Sequence, residues 1–302
     1  MKKTFSFVIP TKNRPTELAT VFNAILAQTR LPEQVIIIDQ SNPDKVIKDK
    51  LAPLAKKAKI TLDYIHDESI KGLVQAKAAS IQYNSCDYIS FFDDDIVHKT
   101  NYLEAIEQAF MVHSDMIGVN GVIINNPQES FIKRTIFRLT HFGLYKDNRQ
   151  RVIRSLKSNT VEHQRVDALS GGLSTWRKEV FDKVSFDTKN KFHAYEDKEF
   201  SIRIERVFPK KMFLIPQAKL YHYHAAGNRQ SLLRRTQNDV VEVWMLFKKN
   251  GTYHYLGFDF FVLQLGLLLN AILLSLKHLN GHFLFNYIKG FNQGRKKKII
   301  TQ

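Results

Sequence analysis

The chain has 302 residues, 44% hydrophobic and 25% charged, which excludes disordered and fibrous classes and is sufficient for a buried core. Its single cysteine, Cys86, excludes an internal disulfide framework and indicates a reducing compartment, so a cytoplasmic location is expected. The net charge of +16 predicts attraction to polyanions, namely nucleic acid, an anionic membrane surface or phosphorylated small molecules.

The first 124 residues alternate between short apolar runs and stretches with helical spacing of apolar residues. The runs predict strands at residues 5–10, 35–38, 60–66, 88–92 and 116–124, and the spacing predicts helices from Pro15 onward and at residues 73–83 and 102–112. Apolar strands separated by helices predict an α/β fold. We expect a Rossmann-like, mostly parallel sheet with helices on both faces and ligands at the carboxyl ends of the strands.

Three consecutive aspartates, Asp93, Asp94 and Asp95, follow the fourth apolar run. Carboxylates crowded at a strand end repel one another unless they share a cation, so this is a candidate divalent metal site. The alternative is an acidic turn that caps the next helix. Acidic residues also follow two other predicted strands, at Asp39 and Asp67, which favours a ligand crevice at this edge of the sheet.

Residues 126–165 break the alternation of strands and helices. They carry nine Lys or Arg residues against three acidic ones, with aromatic residues interleaved. We predict an inserted basic lobe or acceptor-side loop. Beyond it come a tight turn at Gly171 and Gly172, an acidic cluster at a predicted helix start at residues 196–199, and an extended segment at residues 212–223.

The last part of the sequence combines an apolar helix with a basic tail. Residues 255–276 are long enough to cross a bilayer, and residues 277–302 carry six Lys or Arg and no acid. A narrow polar stripe on one helical face is formed by Asp259, Gly266, Asn270 and Lys277. This stripe favours a helix that lies on a membrane or packs on the domain over a transmembrane span.

Six short motifs, in this order, resemble the family 2 glycosyltransferases of the GT-A fold. They are residues 7–14, 37–39, 93–95, 170–172 and 196–197, and His222. The resemblance covers about residues 5–225 and implies a GT-A domain at residues 1–225, which includes the 126–165 insert. Residues 226–302 are then expected to be a C-terminal helical appendage that associates with a membrane.

The resemblance implies inverting transfer of a sugar from a nucleotide-diphosphate donor, with Mn²⁺ or Mg²⁺ at the aspartates. Asp95 is expected to bind the ion directly, with Asp93 beside it. His222 is expected to complete the ligand set, and His224 is its competitor because alternation along a strand places both on the same face.

The resemblance also implies that Asp197 is the general base for the acceptor hydroxyl. Glu196 or Glu199 would then bind the acceptor or orient Asp197. The alternative for this acidic cluster is charge compensation at the N-terminus of a helix.

Donor recognition is expected from residues at the ends of the first strands and from the following helix. The expected nucleotide-binding residues are Pro10, Thr11, Arg14, Asp39, Lys77, Asp93 and Asp94. Gly171 and Gly172 would let backbone amides approach the donor. Trp176 either lines the acceptor site or is an aromatic residue of the core.

The leading hypothesis is therefore a cytoplasmic enzyme, peripheral at the inner face of the plasma membrane, that adds one sugar to a glycan or lipid-diphosphate-linked acceptor in surface polysaccharide or glycoconjugate synthesis. The Gln-any-two-Arg-Trp motif of processive polysaccharide synthases is absent after the acidic pair, which favours single transfers. A sugar nucleotidyltransferase would share the sheet and the metal, but its glycine-rich opening loop is missing. A basic nucleic-acid-binding protein would leave the aspartates without a role.

Overall fold

The computed structural model describes residues 3–127, 129–157, 160–224, 231–250 and 257–300. The strands within these ranges are β1 (Phe5–Thr11), β2 (Gln34–Asp39), β3 (Thr61–His66), β4 (Tyr88–Phe92), β5 (Ile96–His98), β6 (Gly118–Ile123), β7 (Gln164–Arg165), β8 (Leu173–Arg177) and β9 (Met212–His222). The helices are α1 (Pro15–Leu26), α2 (Lys48–Lys57), α3 (Leu73–Ser80), α4 (Tyr102–Val112), α5 (Phe131–Thr140), α6 (Arg149–Ser155), α7 (Glu196–Val207), α8 (Leu232–Asn250), α9 (Phe258–Lys277) and α10 (His282–Lys296).

Contacts divide the chain into two compact units. The first comprises Met1–Asn126, Asn148–Thr188 and Arg203–Gly227, and the second comprises Pro127–Asp147, Lys189–Ile202 and Asn228–Gln302. The domain boundary predicted at residue 225 stays a prediction. The 126–165 segment contributes helix α5 to the second unit and helix α6 and strand β7 to the first.

The first unit contains one mixed sheet with the strand order β3-β2-β1-β4-β8-β6-β9-β5, and β7 pairs with β9. Strands β3, β2, β1 and β4 run parallel, as their apolar runs separated by helices predict. Strands β1, β2 and β4 are buried along their whole length, because helices cover both faces. Their carboxyl ends therefore meet at one edge, where Thr11, Asp39 and Asp93 lie.

Strand β8 is an antiparallel strand between β4 and β6 that the sequence pattern did not predict. The strand has only five residues and is partly polar, but its polar side chains have hydrogen-bond partners, since the hydroxyls of Ser90 and Thr175 are 2.8 Å apart. The pairing joins Phe92 at the end of β4 to Leu173 at the start of β8. The glycine turn that precedes β8 is thereby placed beside the aspartates that follow β4.

Trp176 on β8 is a core residue. Its side chain is 2% exposed, and its indole N–H donates to the Ser174 hydroxyl at 2.9 Å. A Cβ at Gly118 would lie 2.4 Å from the ring, so the ring occupies the space that a side chain there would need. Of the two interpretations of Trp176, the structure shows the core aromatic rather than a residue lining an acceptor site, because the ring is packed inside the sheet.

The second unit is a helical assembly around its own apolar core. Buried residues from α8, α9 and the 143–145 turn form this core, among them Tyr145, Val243, Leu246 and Leu263. Helix α9 is the one helix in the described part of the chain that is long and apolar enough to cross a membrane. Residues 255 and 256, at the start of the predicted apolar stretch, lie outside the described residues.

Candidate functional site

Strands β4 and β5 flank the three aspartates, so both sides of this short segment are fixed by the sheet. The Asp93 N–H donates to the Gly172 carbonyl oxygen at 3.0 Å, which extends the pairing of β4 with β8 by one step. The Tyr223 N–H donates to the Asp95 carbonyl oxygen, also at 3.0 Å, at the other side of the segment. The carboxylates are therefore held on a backbone with little freedom to move.

Asp93, Asp95 and His222 form a cluster that fits a divalent cation. One ligand atom from each lies within 4.8 Å of the other two, and the His222 Nε2 atom is 3.0 Å from the Asp95 Oδ1 atom. Two carboxylates and an imidazole are a donor set that suits Mn²⁺, and the carboxylate oxygens also suit Mg²⁺. The structure thus brings together the three residues predicted to bind the metal.

His222 reaches this cluster because β9 runs antiparallel to β5, with Ile96 opposite His222. The side chain of Asn125 fixes the histidine backbone, accepting its N–H at 2.9 Å and donating to its carbonyl oxygen at 3.0 Å. His224 lies beyond the end of β9 with a φ of 52°, so the strand alternation used to predict its position ends before it. Its ring packs on the His222 ring, with centroids 3.9 Å apart.

Asp94 makes its short contacts with β1 and the loop after it, and Arg14 of that loop also lies 3.9 Å from Asp95. The Arg14 Nη1 atom donates to its Oδ1 atom at 2.7 Å, and the Thr11 hydroxyl donates to its Oδ2 atom at 2.8 Å. Asp94 is 5% exposed, so its carboxylate mainly ties the loop after β1 to the end of β4. Three residues predicted to bind the nucleotide, Thr11, Arg14 and Asp94, are thus joined to one another.

Burial raises the pKa of the Asp93 carboxyl, the positive charge of Lys77 opposes that rise, and the negative charge of Asp95 adds to it. Burial likewise raises the pKa of Asp94, against the hydrogen bonds from Arg14 and Thr11. Lys77, on α3, is 1% exposed. These carboxylates are crowded in a poorly hydrated place, where a cation would favour their charged forms.

The glycine turn leaves no room for a side chain next to the aspartates. A Cβ built at Gly172 would lie 2.1 Å from the Asp93 Oδ2 atom. One residue before the two glycines, the Ser170 hydroxyl accepts a hydrogen bond from the Arg149 Nη1 atom at 3.0 Å. Sequence reasoning did not single out Arg149, because it is one of nine cations in the basic segment and nothing in its spacing marks it.

Asp39 lies at the carboxyl end of β2 and is 1% exposed. Its two oxygens accept hydrogen bonds from the Ser41 N–H, at 2.9 Å, and from the Tyr64 hydroxyl. Burial raises the pKa of Tyr64, and the bond to Asp39 raises it further. This predicted nucleotide contact is therefore engaged in shaping the loop after β2.

The neighbouring loops are cross-linked in the same way. The Asn42 N–H donates to the Asn13 side-chain oxygen at 2.9 Å, and Pro10 precedes this loop on β1. The Gly72 N–H donates to the Gln40 side chain at 2.7 Å, which fixes the start of α3. The loops predicted to meet the nucleotide thus form one connected surface at the strand ends.

The predicted acidic pair lies in the second unit, at the start of α7. Glu196 and Glu199 are 8% and 2% exposed, whereas Asp197 is partly exposed. The Lys249 Nζ atom is 2.8 Å from Glu199 Oε1, so Glu199 anchors the helix instead of facing outward. Among these three acids, Asp197 has the side chain most accessible to an acceptor.

Known proteins with similar sequences or structures include glycosyltransferases. Residues 6–185 match the protein family described as Glycosyl transferase family 2. A relative, the uncharacterized glycosyltransferase YwdF of Bacillus subtilis (strain 168), is 26% identical over an alignment of 234 residues that covers 75% of this chain and 76% of the relative.

Two solved structures share the fold. The mannosyltransferase PcManGT from Pyrobaculum calidifontis, in complex with GDP-Man and Mn²⁺, superimposes with a TM-score of 0.63 at 11% identity and covers 98% of this chain and 88% of its own. GalNAc-T7 with UDP, GalNAc and Mn²⁺ superimposes with a TM-score of 0.58 at 18% identity over 80% of this chain. This chain spans about half, 48%, of the GalNAc-T7 chain. The predicted GT-A type of α/β fold is confirmed.

Proposed function

The chain belongs to glycosyl transferase family 2, and we propose that it moves one sugar, with inversion, from a nucleotide-diphosphate donor to a hydroxyl of a glycan or lipid-diphosphate-linked acceptor. The observation that carries this proposal is the cluster of Asp93, Asp95 and His222 at the carboxyl end of β4. The Mn²⁺ in the complexes of both structural neighbours supports a metal-dependent reaction at this cluster.

The donor half of the reaction needs positive charge near the departing diphosphate. Asp93, Asp95 and His222 would hold Mn²⁺ or Mg²⁺, and the bound ion would act as a Lewis acid on the diphosphate oxygens. Lys77 adds a fixed charge beside Asp93, and Arg14 keeps the loop after β1 in place through Asp94. Gly172 lets the backbone of its turn lie against the metal-binding carboxylates.

The acceptor half needs a base, and we assign it to Asp197. The acceptor oxygen bonds to the anomeric carbon, its proton passes to the Asp197 carboxylate, and the bond from the anomeric carbon to the diphosphate oxygen breaks. Asp197 suits this role because its carboxylate is partly exposed, whereas Glu196 is buried and Glu199 pairs with Lys249.

The reaction is tested by mixing the purified chain with Mn²⁺, a panel of nucleotide sugars and mixed lipid-linked and free glycan acceptors. Glycosyl transfer releases a nucleoside diphosphate, whereas a nucleotidyltransferase would release pyrophosphate. Asp95→Asn should abolish metal-dependent binding of UDP or GDP, and Asp197→Asn should keep that binding but stop transfer. Asp115→Asn, at an exposed position, is the matched control. Wild-type activity in Asp95→Asn would contradict the proposal.

We also propose that the chain works at the inner face of the plasma membrane as a peripheral protein, and helix α9 carries this inference. Its polar residues Asp259 and Gln264 are 1% and 4% exposed, whereas Phe261 and Leu276 are 61% and 67% exposed. A helix packed on a water-soluble surface has the opposite arrangement. Its outward face is an apolar strip formed by Phe258, Phe261, Leu265, Leu269, Ile272, Leu273 and Leu276.

Basic residues follow helix α9 in the sequence, and together with the apolar strip they favour an anionic lipid surface as the occupant of this face. Helix α10 adds exposed Phe285 and Ile288, and the described chain after α9 carries Lys289 and the run 295–298 without an acidic residue. An apolar face bordered by lysines and arginines is the pattern of helices that lie in the headgroup region. A lipid-linked acceptor would be reached there.

Vesicle sedimentation tests this membrane proposal. The wild-type chain should bind phosphatidylglycerol vesicles more strongly than phosphatidylcholine vesicles, and high salt should weaken the binding. Serine at Phe261, Leu265 and Leu269 removes about 1 kcal/mol of apolar burial per side chain, so binding should fall roughly a hundredfold. Serine at Met111 and Val112, which are both 72% exposed on α4, is the control. Equal binding by the triple variant would refute the assignment.

A further inference from the structure

Helix α8 holds the segment that leads into α7 by means of a buried carboxylate. Glu242 is 3% exposed, and its oxygens accept the His193 N–H at 3.1 Å and the Tyr195 N–H at 2.9 Å. Helix α7 begins at Glu196, directly after these donors. Backbone N–H groups before a helix usually bond to water or to a local capping side chain. Here a side chain from a helix more than 40 residues away satisfies them.

We propose that Glu242 is a positioning residue for Asp197. Its carboxylate accepts hydrogen bonds from the N–H groups of residues 193–195 and so fixes the backbone just before the proposed base. This inference rests on the proposed role of Asp197. A carboxylate has two acceptor oxygens and no donor, so it matches a cluster of N–H groups. An amide of the same shape offers one oxygen and turns an NH₂ group toward those donors.

A second contact from α8 fixes the other side of the same segment. The Lys249 Nζ atom pairs with Glu199 at 2.8 Å, with side chains 8% and 2% exposed. The same ammonium lies 6.0 Å from the centre of the Phe192 ring, at the beginning of the segment. Two turns of α8 thus hold residues 192–199 at their start, middle and end, and Asp197 lies between the anchors.

The charged form of Glu242 is held at a cost in stability. Burial raises its pKa to about 7, the N–H donors of Tyr195 and His193 oppose the rise, and the negative charge of Asp239 adds to it. At pH values between the usual pKa of a glutamate and about 7, Glu242 holds a proton in the folded chain that it has lost in the unfolded chain. The free energy of unfolding therefore falls as pH rises through that window. Burial raises the pKa of Tyr195, and the negative charges of Asp239, Glu242 and Asp197 add to the rise. The positive charge of Arg235, which lies 3.8 Å from Asp239, opposes it.

The test uses Glu242→Gln and the control Asp239→Asn in the full chain, with UDP or GDP and Mn²⁺ as the binding probe. In Glu242→Gln, kcat should fall about ten- to hundredfold, because small misplacement of a catalytic group has effects of that size. Its Kd for the nucleotide and its melting temperature at pH 8 should not worsen. In Asp239→Asn, kcat at high pH should stay at the wild-type value, while the acid limb of the pH profile should move to lower pH than in the wild type, because the charge of Asp239 raises the pKa of Glu242.

Amide hydrogen exchange of residues 193–197 separates failure of this inference from failure of the proposed reaction. Faster exchange in Glu242→Gln, with the rest of the chain unchanged, would support the positioning role even if no donor were turned over. If the wild type transfers sugar and Glu242→Gln matches it in kcat, in pH profile and in exchange at 193–197, the inference is wrong. Slower transfer with a lowered melting temperature at every pH would also overturn it, since that indicates a purely structural role.

Discussion

Gly172→Ala tests whether the glycine turn is needed for the position from which Asp93 would hold the proposed metal ion. The added Cβ would lie 2.1 Å from the Asp93 Oδ2 atom and 2.3 Å from its Cγ atom. Non-bonded carbon and oxygen atoms require more than 3 Å, so either the turn or the carboxylate must move by about 1 Å. The backbone of Asp93 is tied to the Gly172 carbonyl oxygen at 3.0 Å. The carboxylate is therefore the group expected to turn away.

Gly172→Ala should lower the affinity for the metal strongly and the melting temperature only slightly. Disturbing the surroundings of a metal ligand lowers affinity about ten- to hundredfold, and here the ligand itself is displaced. Metal-dependent binding of UDP or GDP should fall by at least that factor, and transfer should fall with it. The melting temperature should change little, because the turn lies at the edge of the sheet and Gly172 does not adopt a positive φ.

Calorimetry with UDP or GDP, in the presence and absence of Mn²⁺, measures this effect. Gly281→Ala is the matched control, because its Cβ meets nothing within 4 Å and its φ is −66°. A double-mutant cycle with Asp93→Ala sharpens the test, since Gly172→Ala should cost no further affinity once the carboxylate is absent. Equal affinity in Gly172→Ala and the wild type, or additive losses in the cycle, would refute the reasoning.

Two further predictions concern stability. Burial lowers the pKa of His98 to about 3, so below pH 6.5 the unfolded chain gains a proton that the folded chain does not. At pH 5 the free energy of unfolding of the wild type, measured in urea, should therefore fall by about 2 kcal/mol relative to that of His98→Leu. Equal pH dependence of the two proteins would contradict this prediction. Gly143→Ala should lower the free energy of unfolding by about 2 kcal/mol, because φ is +57° and the Cβ would meet the buried Asp259 carboxylate at 2.4 Å. Gly281→Ala again serves as the control. An unchanged free energy of unfolding in Gly143→Ala would contradict the prediction and show that the turn can relax.

Much of the first unit could be predicted because its signals are local. Residues 5–11, 34–39 and 88–92 are apolar along their whole length, and strands buried on both faces leave this mark in the sequence. The three aspartates could be predicted as a candidate metal site because they follow such a strand. The proposed histidine ligand could be narrowed to two candidates, and of these strand pairing places His222 beside Asp95.

The features that could not be predicted depend on contacts between distant residues. Strand β8 has only five residues, and its polar residue Thr175 can be buried because its hydroxyl pairs with that of Ser90 on the neighbouring strand. The partner of Asp94 is Arg14, 80 residues earlier, and no spacing rule connects them. In the sequence Glu242 cannot be distinguished from an ordinary acidic residue of an amphipathic helix, because its partners are backbone N–H groups, which have no sequence signature.

The three aspartates can coexist because the fold gives each of them a different cationic or hydrogen-bonding partner. Asp94 and Asp95 form a turn between β4 and β5, in which Asp94 meets Arg14 at 2.7 Å, whereas Arg14 lies 3.9 Å from Asp95. Asp93 lies in the field of Lys77, and Asp95 lies 3.0 Å from His222. Arg14 offsets the charge of the middle aspartate, which leaves the outer two for a cation. The residue between the two outer aspartates thus ties the loop after β1 to the candidate metal site.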